Sequence, residues 1–159
     1  MNGDIRAYRR NDQDACVAIF ESNTPDYFDP HDRADLIAFL DDLPGPYYVW
    51  VAPDSGVMAC GGYYVEAGGR TAGLTWGMVH RQLHRLGIGR RMLEYRLAVI
   101  RTSSTIKTVR ARTTQVTEPF FRRCGFISSQ RREGGFGPGL DFVELELDLT
   151  APSTTPREA

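Results

Sequence analysis

The sequence predicts a single α/β domain, and three observations lead there. Runs of β-prone residues, such as 47–52 and 72–79, alternate with stretches whose apolar residues recur every three or four positions. A basic segment carrying two glycines, Leu83-His84-Arg85-Leu86-Gly87-Ile88-Gly89-Arg90-Arg91, joins one such strand to the most regularly periodic helix. A length of 159 residues, with 42% hydrophobic and 11% aromatic side chains, is enough to bury one substantial core and too little for two.

From the N-terminus, residues 5–8 read as a short strand. Asn11 or Asp12 can cap a helix whose apolar face holds Ala15, Cys16, Ile19 and Phe20. Pro30 opens a second helix, about 31–43, with Leu36, Ile37, Phe39, Leu40 and Leu43 turned inward, and Pro44-Gly45-Pro46 stops it. Segments 47–52 and 57–66 flank the turn tetrapeptide Pro53-Asp54-Ser55-Gly56 and read as a hairpin. Gly68-Gly69 leads into strand 72–79, and Ile88, Met92, Leu93 and Leu97 set the stripe of the helix after the glycines. Then follow a strand over 107–113, a short helix over 116–123 and two last strands, 126–132 and 140–149. The joining run Gly134-Gly135-Phe136-Gly137-Pro138-Gly139 is either a floppy hairpin turn or a shaped wall of a pocket. The domain is expected to span 1–149. Residues 150–159, with two prolines and no large apolar side chain, are expected to be a disordered tail.

Composition removes several function classes. No run approaches the roughly 20 apolar residues that cross a bilayer, and the opening Met-Asn-Gly-Asp-Ile-Arg lacks a basic-then-apolar leader. No membrane partner and a cytoplasmic location are the expectation. Cys16, Cys60 and Cys124 are odd in number and far apart in apolar surroundings, which disfavours a disulfide framework or a metal site and points to buried thiols. Residues 1–79 carry five basic and twelve acidic side chains, whereas residues 80–159 carry fourteen and eight. The basic half holds no uninterrupted basic run, so an anionic cofactor explains the asymmetry more simply than nucleic acid.

Gly87 and Gly89 sit where a helix begins. Orphan amides and the positive end of the helix dipole attract an anion there, and glycine lets the backbone approach it closely. Arg85, Arg90 and Arg91 add positive charge. Without a following Gly-Lys-Ser/Thr, and without three-glycine dinucleotide spacing, nucleoside triphosphate and NAD are disfavoured. A phosphate cradle and a plain helix start with solvated arginines both remain open on this segment alone.

The surrounding order resembles the GNAT superfamily of acetyl-CoA-dependent N-acetyltransferases. A strand ends in Val79, the loop His84-Arg85-Leu86-Gly87-Ile88-Gly89 follows the family's Arg/Gln-x-x-Gly-x-Gly/Ala, and Phe120-Phe121-Arg122-Arg123-Cys124-Gly125-Phe126 matches its aromatic-aromatic-x-x-x-Gly-Phe signature. The resemblance implies a central mixed, mostly antiparallel twisted sheet of six to seven strands, splayed at its middle strands, with about four helices. It implies acetyl-CoA as cosubstrate and no metal. The phosphates would rest on the amides from about Arg85 to Arg90, including Leu86, Ile88 and both glycines. The pantetheine arm would pair with the backbone of Met78 and Val79, and Thr114, Phe120 and Phe121 would complete the cofactor side. Homodimers are frequent in the family.

Three departures bear on mechanism. His84 replaces the usual Arg or Gln. Phe121 stands where the family commonly has a tyrosine acid, and phenylalanine cannot donate a proton. The strand before the cradle offers Gly73, Thr75 and Gly77 where a glutamate or histidine base is common, although Gly77 suits a bulge that opens the splay. Candidate substitutes for the missing base and acid are Glu66, His80 and Asp141, and Cys124 reads as core. Asp26, Asp29, Asp32 and Asp35 would form an acidic rim beside the acceptor pocket. The implied activity is transfer of an acetyl group to a primary amine of a small molecule or peptide, and the alternative is a noncatalytic acyl-CoA-binding or sensor domain.

Overall fold

Alternating strands and striped helices assemble into a seven-stranded sheet in the order β1-β2-β3-β4-β5-β7-β6. The computed structural model describes residues 2–151, so the expected tail lies outside the described residues from position 152 onward. The elements are β1 (Asp4–Ala7), α1 (Gln13–Ser22), α2 (Arg33–Asp41), β2 (Tyr47–Ala52), β3 (Gly56–Val65), β4 (Thr71–Val79), α3 (Ile88–Arg101), β5 (Thr108–Thr113), α4 (Glu118–Arg123), β6 (Ile127–Arg132) and β7 (Phe142–Asp148). Neighbouring strands run antiparallel except for β4 and β5, which are parallel. The chain between those two strands carries α3, the crossover that a parallel pair requires.

Helices α1 and α2 cover one face of the first half of the sheet, where Ile19, Phe20, Leu36 and Leu40 pack on Tyr47, Val49 and Met78. On the opposite face Leu93, Leu97 and Ile100 of α3 meet Tyr63, Ala72, Val109, Ala111, Val143 and Leu145. Leu93 and Ile100 are each 1% exposed, so cutting either to alanine should cost about 2–5 kcal/mol.

The departures from expectation have local causes. Asp12 occupies the position before α1, but its carboxylate does not cap that helix. It takes two hydrogen bonds from Arg6 (2.8 and 3.0 Å) and one from the Arg9 amide, closing a preceding 3-10 turn. The second helix is shorter than expected: Pro30–Asp32 is a 3-10 turn, α2 starts at Arg33, and Asp42 has already left helical geometry. Pro44 contributes to that early end, because proline disfavours helical backbone in the residue before it. Likewise α4 begins at Glu118 rather than 116, with Pro119 in its first turn.

Strands β4 and β5 pair only over Thr71–Gly73 and Thr108–Arg110. From Leu74 to Val79 the β5-facing edge of β4 has no strand partner, and this opening leads into the glycine-bearing loop.

Candidate active site

After Val79, a 3-10 turn over Arg81–Leu83 carries the chain outward, and two left-handed residues, Arg85 (φ 65°) and Gly87 (φ 82°), turn it into α3. Nothing lies within 4 Å of where a Cβ on Gly87 would be, so its backbone angle, not crowding, calls for glycine there. The Arg91 amide donates to the Gly87 carbonyl as the helix begins, and the amides of Ile88, Gly89 and Arg90 precede any helical acceptor. A Cβ on Gly89 would lie 3.6 Å from Val79 and 3.7 Å from Phe120, so strand end, cradle and α4 converge at this glycine. Ile88 turns its side chain into the core, Leu86 is exposed, and Arg90 pairs with Glu94 at 3.0 Å.

His84 folds its ring back against the end of β4. Its Nε2 donates to the Val79 carbonyl (2.9 Å) and the ring stands edge-on to Tyr27. Because a carbonyl only accepts, the neutral tautomer carries its proton on Nε2. The same carbonyl receives Nδ2 of Asn23, also at 2.9 Å, and Asn23 is 2% exposed. The last residue of β4 is therefore tied both to the cradle and to the end of α1.

The splay is set by a bulge. Cys60 faces Met78 and Gly62 faces Thr75, so Trp76 and Gly77 together oppose Gly61. The bulge includes Gly77, the residue whose type suits one. The left-handed residue is Trp76 (φ 35°), a strained conformation for a bulky side chain. Tyr47 holds it by donating its hydroxyl to the Trp76 carbonyl at 2.8 Å. On the opposite face, Arg96 of α3 lies beneath the bulge, 4% exposed, donating Nε to Met92 and Nη1 to Gly62, both backbone carbonyls at 3.2 Å.

Trp76 also joins an aromatic wall with Phe20, Phe28 and Phe39, whose ring centroids lie 6.0–6.4 Å from its own. This wall borders the loop between α1 and α2. The four aspartates of that segment do not act alike. Asp26 is paired with Arg81 at 2.6 Å, and Asp29 accepts from the amide and ring of His31, which hold its carboxyl below the usual range. Burial, helped by Asp29 and Asp35, pushes Asp32 up.

The glycine-rich run after β6 is a shaped turn. Gln115 donates to the Gly139 carbonyl (2.6 Å) and accepts from the Asp141 amide (2.7 Å), while the Asp141 carboxylate accepts from the Gly134 amide and Arg131. A Cβ on Gly137 would sit 2.5 Å from Oδ2 of Asp29, so this turn touches the α1–α2 loop across the sheet.

The candidate bases are not gathered at the splay. Glu66 follows β3 beside Thr71, at the opposite end of β4 from Val79, and pairs with Arg110 at 2.6 Å. His80 caps the 3-10 turn, its Nδ1 accepting from the Gln82 amide. Asp141 is held below the usual range by the Gly134 amide and Arg131, which weakens it as a base. Thr114 is buried, and its hydroxyl accepts from the Val116 amide. Phe121 packs between Phe120 and Phe126. Cys124 is half-buried against the core rather than fully inside it, with burial pushing its thiol up. The residues that the sequence reading missed are Asn23, Gln115 and Arg96. Arg96 alone left a signal, since it stands four residues from both Met92 and Ile100, on the apolar stripe of α3.

A family model described as the acetyltransferase (GNAT) family matches residues 16–126. Ard1 from Thermoplasma volcanium shares the fold at a TM-score of 0.78 with 14% identity, covering 95% of this chain and 100% of its own. Structural similarity extends to yncA from Salmonella typhimurium, solved with its cofactor acetyl-CoA (TM-score 0.71, 19% identity, 97% and 99% covered). It extends also to a ribosomal-protein-alanine N-acetyltransferase from Brucella melitensis (TM-score 0.69, 19% identity, 92% and 99% covered). No curated protein matches the sequence. Since the family model spans well over half of the chain, this protein belongs to the acetyltransferase (GNAT) family.

Proposed function

We propose that the protein transfers the acetyl group of acetyl-CoA to a primary amine by direct attack, without a covalent enzyme intermediate. The observation that carries this reading is the edge of β4 left open from Leu74 to Val79, which leads into the amides of Ile88, Gly89 and Arg90. An extended arm bearing amide groups suits the open strand edge, and a pyrophosphate suits the helix start. The chain's own groups fit such a cosubstrate: left-handed Gly87 clears the approach, Gly89 keeps side-chain bulk away, and exposed Arg85 supplies positive charge, with Arg90 beside it shared with Glu94. Met78 and Val79 then contribute strand backbone, with Val79 and Phe120 flanking Gly89.

Acetyl-CoA supplies an activated acyl carbon: the amine nitrogen bonds to it, the C–S bond breaks, the nitrogen gives up a proton, and the departing sulfur takes one up. The aromatic wall of Phe28 and Trp76 and the turn at Gly137 border the face from which the amine enters. Asp32 and Asp35 favour an acceptor that arrives as an ammonium ion and gives one proton to solvent before its neutral nitrogen attacks. Positioning supplies a large share of the rate where no strong base stands ready.

Release of free thiol from acetyl-CoA, followed across a panel of polyamines, amino acids, aminoglycosides and peptides, tests this reading. Amine-dependent release supports transfer. Tight binding of CoA with no release by any amine supports the binding-domain alternative and overturns transfer.

A further inference from the structure

Arg96 is a buried cation without an acid partner. Among the described residues it forms no ion pair, and its guanidinium donates to two backbone carbonyls, those of Met92 and Gly62. A guanidinium so placed loses hydration that two neutral carbonyls replace only in part, so it sits most favourably where negative charge comes near. Two glycines on adjacent strands make room for it. A Cβ on Gly61 would lie 3.0 Å from its Cζ, and one on Gly77 3.2 Å from its Nη2. Gly61 is buried but Gly77 is exposed, so β4 reaches solvent at the same residue whose missing side chain leaves room for Nη2. Gly77 also lies in the part of β4 that has no β5 partner.

We infer that Arg96, acting through the gap that Gly77 leaves, is the fixed positive charge that stabilises the negative charge developing on the acyl group during transfer. The inference rests on the reading that acetyl-CoA lies along the open edge of β4. As the C–N bond forms, electron density moves onto the thioester oxygen, and it passes to sulfur when the C–S bond breaks. A preorganised cation in a poorly solvated place favours both changes without reorganising. This is the assistance that Phe121 cannot give as a proton donor. Burial pulls Arg96 down only to about 10, so it stays charged at neutral pH, and the titratable groups that act on it are Tyr47 of β2 and Cys60 of β3, on the other face of the sheet.

The test is infrared difference spectroscopy of acetyl-CoA labelled with 13C at the carbonyl, bound to the wild-type protein, to Arg96→Gln and to Arg96→Lys, together with kcat and the dissociation constant of CoA. The expected wild-type carbonyl band lies at lower wavenumber than in water. Arg96→Gln should return most of that shift and lower kcat by about 10²–10³-fold with CoA affinity within about threefold, whereas Arg96→Lys should retain part of both the shift and the rate. A merely structural arginine would make Lys as damaging as Gln and leave the band of the bound thioester where it was. An unshifted wild-type band overturns the role of Arg96 even if neither variant folds, and leaves the proposed transfer standing. Failure of the wild-type protein to bind acetyl-CoA overturns both.

Discussion

The hydroxyl of Tyr47 donates to the carbonyl of Trp76 at 2.8 Å, which fastens the strained residue of the β4 bulge to the buried face of β2. Tyr47 is 3% exposed, and burial raises its hydroxyl well above the ordinary tyrosine range, so it remains a donor at every working pH. Tyr47→Phe leaves the Trp76 carbonyl without that donor. The expected cost is about 1–3 kcal/mol in urea unfolding, with weaker CoA binding as the bulge relaxes. A variant as stable as wild type would show that the bulge holds without this bond.

Gly137→Ala probes the contact between the glycine-rich turn and the α1–α2 loop. The new methyl would meet Oδ2 of Asp29 at 2.5 Å, and φ of 126° strains any side chain. Steady-state kinetics should show a raised KM for the amine, while calorimetry gives an unchanged CoA affinity. Equal effects on both would mean that the turn supports the whole site rather than the acceptor side.

Much of this was legible from sequence because it depends on local pattern. The hairpin of β2 and β3, the stripe of α3 and the glycines before it follow from periodicity and turn chemistry, and the paired phenylalanines carry the family resemblance. What escaped depends on contacts between distant segments. Asn23 meets Val79, Gln115 braces Gly139 and Asp141, and Trp76, not its glycine neighbour, takes the left-handed angle. No periodicity announces such pairs. The isolated charges offered as bases, Glu66 and Asp141, turn out to be engaged by Arg110 and Arg131 from other strands.

Asp12 gives the fold a predictable acid response. The hydrogen bond from Arg6 lowers its pKa most, with the Arg9 amide assisting and burial opposing. A carboxyl depressed in the folded state adds stability that is fully present above its unfolded value, near 3.8, and is lost as pH falls through the folded value. Asp12→Asn should therefore cost about 1–3 kcal/mol at pH 7, and the gap to wild type should close in acid. A gap that stays constant from pH 7 to pH 2 would contradict this assignment.

Phe121→Tyr should raise kcat if protonation of the departing sulfur limits turnover, by no more than the roughly 10²–10⁴-fold that a general acid supplies. CoA affinity should not change. Measured across pH, a variant that is nowhere faster removes this position from the account of leaving-group protonation.

The central claim is that the amides from about Arg85 to Arg90 receive the phosphates of CoA. Calorimetric titration of acetyl-CoA into wild type and Gly89→Glu tests it most directly, because glutamate would place bulk and negative charge beside Val79 and Phe120. The account predicts one site per chain in wild type and no measurable binding in the variant, with the variant still folded by circular dichroism. Equal affinity in a folded Gly89→Glu protein would contradict it.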